Sequence, residues 1–86
     1  MEFEFDPAKS ERNKEKHGID FLEAQALWDD SDRVEFPARS DDEDRYAVIA
    51  KLNRKLWVAF YTPRENRLRI ISVRRARTNE RPLYES

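Results

Sequence analysis

The sequence of 86 residues predicts a single α+β domain, spanning residues 1–86, in which helices flank a small twisted antiparallel sheet. Two short runs, Leu56–Tyr61 and Leu68–Val73, are rich in β-branched and aromatic residues and are separated by turn-forming residues, which is typical of a hairpin. A second pattern places apolar residues three to four positions apart, as on a helix with one buried face: Phe21, Ala24, Leu27 and Trp28. Helices and strands thus occupy different parts of the chain.

The N-terminal segment predicts a strand followed by a polar surface helix. Glu2–Phe5 alternates strictly between charged and aromatic residues. Asp6 suits the N-cap and Pro7 the first helical position, where the missing N–H costs nothing. The helix is expected to end at His17, because Gly18 suits the left-handed position that follows a helix.

The next segment predicts a second helix and a short strand. Asp20 and Glu23 have the spacing of a capping box, and the helix is expected to end near residues 29–32. The strand Arg33–Phe36 is expected to stop at Pro37. The acidic stretch 41–44 is interpreted as a solvated connector, with a divalent-metal site as an alternative that lacks ligand spacing.

The C-terminal half predicts a three-stranded meander and a last helix. Arg45–Leu52 is a strand that turns at Asn53, a residue tolerant of positive φ. Residues 62–67 form the turn of the following hairpin, and Thr78 is expected to cap a short helix over 79–85. The predicted order is therefore β-α-α-β-β-β-β-α. Trp28 and Trp57 are expected in the core, since large aromatic side chains are mostly buried.

Charge is distributed unevenly along the chain. Residues 1–44 hold 15 acidic and 6 basic residues, a net charge of −9, whereas residues 45–86 hold 3 acidic and 11 basic residues, a net charge of +8. Such asymmetry points to a polyanion or an acidic partner for the basic half. Strand alternation predicts one face of the second hairpin strand with Arg67, Arg69, Ile71, Val73 and Arg75, and an opposite face with Leu68, Ile70, Ser72 and Arg74. The alternative is a sheet edge protected from aggregation by charge.

Several classes of protein are disfavoured. The absence of cysteine excludes disulfides and thiolate metal sites. Residues 1–20 carry too many charges for a secretory signal, and no apolar run approaches the roughly 20 residues that span a membrane. We therefore expect a cytoplasmic protein with no membrane contact, no metal and no cofactor.

Two blocks of residues carry a family pattern. The first consists of Phe5-Asp6-Pro7-Ala8-Lys9, Asn13, Lys16-His17-Gly18, Phe21 and Glu23-Ala24; the second consists of Tyr61-Thr62, Arg64, 67–76, Glu80-Arg81 and Tyr84-Glu85. Together they cover nearly the whole chain and resemble the BrnT toxins of bacterial type II toxin–antitoxin pairs. The chain departs from the pattern at Val73, where a smaller residue is usual, and at Pro82 inside the last helix.

The resemblance implies a RelE-like fold and an endoribonuclease that arrests growth by cutting RNA. It also implies a ribbon-helix-helix antitoxin, BrnA-like, whose complex with the toxin binds operator DNA. For metal-independent cleavage by the neighbouring 2′-OH, arginines can stabilise charge on the phosphate, since each preorganised donor contributes on the order of 3 kcal/mol. The candidate catalytic residues are Arg64, Arg67, Arg74, Arg75 and Tyr84, and the candidate RNA-binding residues are Tyr61, Arg69 and Arg77.

Proton transfer has weaker candidates. His17 is interpreted as structural, because a cation at a helix C-terminus is favourable. Glu65 and Glu80 are candidate bases, although Glu80 also suits the first turn of the last helix. Two other functions remain open: a non-catalytic nucleic-acid-binding module, and a protein-interaction domain whose basic face meets an acidic partner.

Overall fold

The computed structural model describes residues 1–39 and 43–86. Within these residues the α+β class is confirmed. In chain order the elements are β1 Glu2–Glu4, α1 Pro7–His17, α2 Phe21–Ala24, a 3-10 helix Gln25–Asp29, β2 Val34–Ala38, β3 Arg45–Leu52, β4 Lys55–Arg64, β5 Arg67–Arg75 and α3 Arg81–Glu85. The acidic residues Asp41 and Asp42 lie outside the described residues. The RelE-like arrangement remains a prediction.

The limits of α1 are those expected from its capping residues. The Asp6 carboxylate accepts hydrogen bonds from the backbone N–H groups of Ala8 and Lys9, at 2.9 and 3.4 Å. Gly18 adopts a φ of +80°, and its N–H donates to the carbonyl of Lys14. The N-terminal capping and the left-handed end confirm the predicted helix.

The second helix is shorter than expected. The Asp20–Glu23 capping box forms, but α-helical geometry lasts only from Phe21 to Ala24, and a 3-10 helix then continues to Asp29. A 3-10 helix is wound more tightly than an α-helix. Despite this change of geometry, Leu27 and Trp28 face the sheet, as the predicted helix required. Trp28 and Trp57 are 7% and 8% exposed, which confirms their assignment to the core.

The five strands form a mixed sheet in the order β1-β5-β4-β3-β2. The expectation of a wholly antiparallel sheet is wrong, because β1 pairs in parallel with β5, Glu2 opposite Arg67 and Glu4 opposite Arg69. The strand β2 lies at the other edge. That position explains why the strand continues through Pro37, which was expected to end it, since an edge strand tolerates a missing N–H.

The two hairpin turns of the meander are tight. Asn53 and Arg54 have φ values of +53° and +67°, so the predicted turn at Asn53 is confirmed. In the next hairpin the turn is shorter than predicted, because β4 continues through Pro63 to Arg64 and leaves only two residues between the strands. One of these two residues, Glu65, has a φ of +52°.

A β-bulge interrupts the pairing of β4 with β5. Phe60 lies opposite Ser72, and Tyr61 lies opposite Ile70, so Ile71 is the extra residue. The bulge changes the predicted alternation: Ile70 and Val73 both face the main core, at 2% and 0% exposed. The two predicted faces are therefore wrong beyond the bulge: Val73 and Arg75 share a face with Leu68 and Ile70, whereas Ser72 and Arg74 share a face with Arg67 and Arg69.

The sheet has two unlike faces. The helix-covered face packs against α2 and the 3-10 helix, and its core includes Phe21, Leu27, Trp28, Val48, Trp57, Tyr61, Ile70 and Val73. The opposite face, called here the arginine face, carries a smaller core of Ala47, Ile49 and Val58, with Phe36, Phe60, Ala76 and Tyr84 packed against it. The short helix α3 therefore covers part of the arginine face.

The last helix begins at Arg81, so the expectation that Thr78 caps a helix over 79–85 is wrong. This late start places Pro82 in the first turn, where its missing N–H leaves no hydrogen bond unmade. In the described part of the chain, no helix has the length and apolar character needed to cross a membrane.

Candidate functional site

The bulge at Ile71 brings arginines from both ends of β5 onto one face of the sheet. The pairing of Thr62 with Arg69 and of Val58 with Arg74 places both arginines on the arginine face. The Arg64–Arg67 pair follows the same alternation at the hairpin end. The candidate set is thus divided between two ends: Arg64 and Val58, the β4 partners of Arg67 and Arg74, are six residues apart, or roughly 20 Å at about 3.3 Å each.

At the hairpin end, each arginine contacts a carboxylate. Arg69 donates to Glu4 at 2.8 Å, and Arg67 lies 3.9 Å from the same carboxylate. Arg64 donates to Glu43 at 3.2 Å. The side chains of Arg64 and Arg67 remain 46% and 58% exposed, so solvent screens these pairs and phosphate can reach them.

At the other end of β5, Arg74 forms a bidentate ion pair with Glu80. Two of its nitrogens donate to the two carboxylate oxygens of Glu80, at 2.7 and 2.8 Å. Glu80 also accepts the backbone N–H of Arg77. The hydrogen bonds from Arg74 lower the pKa of Glu80 to about 2, and the pKa of Arg74 is raised by the same partner. Glu80 is therefore a poor general base in this state.

The Arg74 guanidinium also lies over an aromatic ring. Its central carbon is 5.4 Å from the centroid of Phe60, within the range of a cation–π contact. The Arg74 side chain is only 20% exposed, since Glu80 and Phe60 hold it on two sides. One end of the arginine face thus presents a fixed, oriented guanidinium.

Two of the candidate arginines lie elsewhere. Arg75 is exposed on the helix-covered side of the sheet, with its guanidinium 5.5 Å from the centroid of Trp57. Arg77 follows β5 and is exposed. The structure therefore separates Arg75 from its neighbour Arg74, although the two are adjacent in sequence.

Tyr61 lies in the core and not beside the arginines. It is 5% exposed on the helix-covered face, and its ring makes an edge contact with Trp28 at 5.3 Å between centroids. Its hydroxyl donates to the carboxylate of Glu35. Burial, and then this hydrogen bond, raise the pKa of Tyr61 well above its ordinary value. We therefore leave Tyr61 out of the site.

Tyr84 joins α3 to the rest of the protein. Its hydroxyl donates to Asp30 at 2.7 Å, and the same carboxylate oxygen accepts the backbone N–H of Lys51 at 2.8 Å. The hydrogen bond to Asp30 raises the pKa of Tyr84 to about 12, which makes it a weak acid near neutral pH. Its position suits an anchor for the segment that carries Glu80.

The remaining proton-transfer candidates do not meet the arginines in one place. His17 is half-buried at the end of α1, and Glu65 is in the hairpin turn. Among the residues that the structure describes, no group of three or more His, Asp and Glu side chains is arranged to hold a metal ion. The arginine face thus offers guanidinium donors of the kind that bind phosphate, and the described residues bring no acid–base pair beside them.

One arginine of this face was not predicted as a site residue. Arg45 begins β3 and shares the face with Ala47 and Ile49. Its Nε is buried and finds no hydrogen-bond partner within residues 1–39 and 43–86. Alternation along β3 predicts that Arg45 shares a face with Ala47 and Ile49. The sheet order is needed to show that this face also carries the arginines of β4 and β5.

Comparison with known proteins gives one match. A family model described as "Ribonuclease toxin, BrnT, of type II toxin-antitoxin system" matches residues 5–80, which is most of the chain. No curated protein matches the sequence. The matched range contains α1, all of β2 to β5 and Glu80, and thus both ends of the arginine face.

Proposed function

Because the chain belongs to the BrnT family of ribonuclease toxins from type II toxin–antitoxin systems, we propose that it is an endoribonuclease that cleaves RNA without a metal ion. The observation that carries this proposal is the placement of Arg69 and Arg74 on one face by the bulge in β5. Arginine suits the task, since its planar guanidinium donates two parallel hydrogen bonds to a phosphate.

The proposed reaction uses the RNA's own nucleophile. The 2′-OH attacks the adjacent phosphorus, the bond from phosphorus to the 5′-oxygen breaks, and the products are a 2′,3′-cyclic phosphate and a 5′-OH. Negative charge develops on the non-bridging oxygens, and preorganised donors aimed at that charge lower the barrier. We assign this role to Arg74, with Arg64, Arg67 and Arg69 binding flanking phosphates.

The proton transfers are the weak part of this site. Arginine is a poor base because its pKa lies above about 12. Glu80 and Tyr84 are held in hydrogen bonds that move their pKa values away from neutrality. We assign both proton transfers to water, which makes the protein a slow catalyst that depends on charge stabilisation and on positioning of the RNA.

The partner follows from the family. A toxin of this class needs an antitoxin, and we propose a BrnA-like ribbon-helix-helix protein that binds the toxin and neutralises it. Operator DNA would be bound only by the complex of the two proteins. We expect the chain to act in the cytoplasm, where it meets both RNA and the antitoxin.

One observation favours a second function, namely binding without catalysis. Arg64, Arg69 and Arg74 each bind a carboxylate of the protein itself. The same arginines could bind acidic side chains of a partner, or RNA phosphates, with no bond being broken. This function predicts salt-sensitive binding of RNA or of an acidic partner, and no cleavage.

The test compares two neighbouring arginines on opposite faces. We would incubate the protein with a mixed-sequence RNA in EDTA, beside Arg74→Ala and Arg75→Ala. Removal of one donor at the site of developing charge is expected to reduce cleavage on the order of 100-fold. Arg75→Ala removes the same charge from the other face and is expected to reduce cleavage less than about threefold.

Two controls complete the comparison. An oligonucleotide with 2′-deoxyribose at the cleaved position should resist cleavage, because it lacks the nucleophile. Circular dichroism should show that Arg74→Ala still folds, since this variant also loses the Glu80 ion pair. Equal loss in both arginine variants, or cleavage that needs a divalent cation, would contradict the proposal.

A further inference from the structure

A second basic surface lies where α1 passes the edge of β5. A groove of about 390 Å³ is lined there by four basic or titratable side chains of α1 and by two residues of β5 at the bulge. We call it the α1 groove, and its lining includes Lys9, Arg12, Lys16, His17, Ile71 and Ser72. This surface belongs to the half of the chain whose net charge is −9.

The basic character of the groove comes from the way α1 sorts its charges. At about 100° per residue, Lys9, Arg12 and Lys16 fall on one side of the helix. Glu11 and Glu15 fall on the other side, where they line a separate depression away from the sheet. The acidic residues of the helix therefore do not neutralise the groove.

The basic side chains of the groove are available to a ligand. Lys9, Arg12 and Lys16 are exposed, and within the described ranges none of them lies within ion-pairing distance of a carboxylate. By contrast, Lys14 on the same helix is paired with Glu23 at 2.7 Å. Three neighbouring cations without a carboxylate partner repel each other, and a bound polyanion relieves that repulsion.

The groove meets the arginine face at Ser72. The short strand β1 pairs only with residues 67–69 of β5, so the edge of β5 beyond Arg69 is left to α1. Asn13 closes that edge by hydrogen bonds to both backbone groups of Val73. Ser72, which lines the groove, lies opposite Phe60 and thus between Arg69 and Arg74.

We propose that the α1 groove binds the phosphate backbone of RNA on one side of the cleaved nucleotide. This inference rests on the proposed function, because it extends the path of the same RNA from the arginine face over the edge of β5. The groove reads no base, since lysine and arginine here meet only phosphates. The groove therefore strengthens the binding of long RNA and does not affect the binding of short RNA.

The test compares two variants that each lose three positive charges, one in the groove and one outside it. One variant carries Lys9→Gln, Arg12→Gln and Lys16→Gln in the groove. The matched control carries Lys14→Gln, Arg54→Gln and Lys55→Gln, which are also two exposed lysines and one exposed arginine but do not line the groove. Both variants lose three positive charges and keep the length of each side chain similar.

Binding is measured on 2′-deoxy-substituted RNA, which the protein cannot cleave, at about 4 and about 16 nucleotides in length. The groove variant should bind the long RNA at least tenfold more weakly and the short RNA less than about twofold more weakly. Its salt dependence should be shallower by about 0.7 in log–log slope for each phosphate contact that is lost. The control variant should differ less than threefold from the unmodified protein on either RNA.

Any other result contradicts the proposal that the α1 groove binds the RNA backbone. Equal losses in the two variants would show an effect of net charge alone, and equal losses on both RNA lengths would place the contacts at the cleaved nucleotide. A groove variant that binds RNA normally but fails to bind a purified antitoxin would make this a protein interface. Cleavage of unmodified RNA, assayed in parallel, tests the proposed function separately: length-dependent loss without any cleavage supports the groove and overturns the enzyme.

Discussion

The two faces of the sheet use polar groups in opposite ways. On the helix-covered side, buried polar groups bond within the protein where Asn13 contacts Val73 and where Tyr61 contacts Glu35, while Trp28 Nε1 is buried without a partner among the described residues. On the arginine face, Arg64, Arg67, Arg69 and Arg74 are paired with carboxylates but remain partly exposed, from 20% for Arg74 to 58% for Arg67. The first face is built for stability, and the second can exchange an internal carboxylate for a phosphate.

The strand β5 contributes side chains to both faces, and the bulge at Ile71 determines the face on which each side chain lies. Without the extra residue, strict alternation would place Arg74 on the same face as Ile70, and Val73 on the same face as Arg69. With it, Val73 enters the main core and Arg74 joins the arginine face. The difference between the faces therefore depends on the edge of β5 being held in this register, which makes Asn13 the first residue to test.

Asn13→Ala should produce the largest loss of stability. The Asn13 side chain is 8% exposed and donates to the carbonyls of Ile19 and Val73, at 2.8 and 2.9 Å, while accepting the N–H of Val73 at 3.1 Å. Alanine leaves these backbone groups buried without partners, and the expected cost is about 3 kcal/mol in the free energy of unfolding. Denaturant unfolding measures it.

The control for this variant is Asn79→Ala, since Asn79 is exposed. Its free energy of unfolding should change by less than about 0.5 kcal/mol. If the two alanine variants were equally stable, the side chain of Asn13 would not be what holds the edge of β5, and the register of the bulge would need another cause.

Glu80→Gln should have the next largest effect, and on the other face. Its bidentate pair with Arg74 is about four-fifths buried on both sides, so its loss is expected to cost about 1–2 kcal/mol. The pKa of Glu80 is about 2 in the folded protein, below its ordinary value of 4.5. The stabilisation is therefore present above pH 4.5 and is lost as the pH falls towards 2.

Unfolding measured between pH 7 and pH 2 checks this expectation, because Glu80→Gln should lose less stability on acidification than the unmodified protein. The matched variant is Glu85→Gln, whose partner Arg81 lies 3.7 Å away and whose side chain is 57% exposed. It should change stability by less than about 0.5 kcal/mol.

RNA affinity should rise in Glu80→Gln alone, since Arg74 loses its competing carboxylate. Unchanged affinity would argue that Arg74 does not bind phosphate.

Local features of the sequence predicted the elements but not how they pair. Asp6, Pro7 and Gly18 define α1 because capping acts over a few residues, and the run Leu56–Tyr61 identifies β4 by composition. The parallel partner of β1 lies about 65 residues away, and a strand of three residues carries no information about direction. The turn was placed too broadly because Thr62 and Pro63 favour turns, whereas the sheet keeps them in β4.

The positions of the candidate site residues in the fold could be predicted only in part, for the same reason. The arginines of β5 are visible in the sequence, but their faces depend on a bulge whose position is set by the pairing with β4 and by Asn13. Arg74 and Arg75 look equivalent as neighbours, yet one is held by Glu80 and the other lies over Trp57. The α1 groove was not predicted, because its half of the chain has a negative net charge. Net charge does not show on which side of a helix each charged residue lies.

Tyr61→Phe should have the smallest effect and sharpens the comparison between the faces. It removes only a hydroxyl that donates to Glu35, and the expected cost is about 1 kcal/mol in the free energy of unfolding. Since Tyr61 is buried among Trp28, Tyr46 and Ile70, the phenyl ring keeps its contacts. RNA cleavage at saturating protein should stay within about twofold of the unmodified level, because the proposed phosphate contacts lie on the other face. A variant that folds normally but cleaves tenfold more slowly would return Tyr61 to the site, and would mean that the helix-covered face opens to admit RNA.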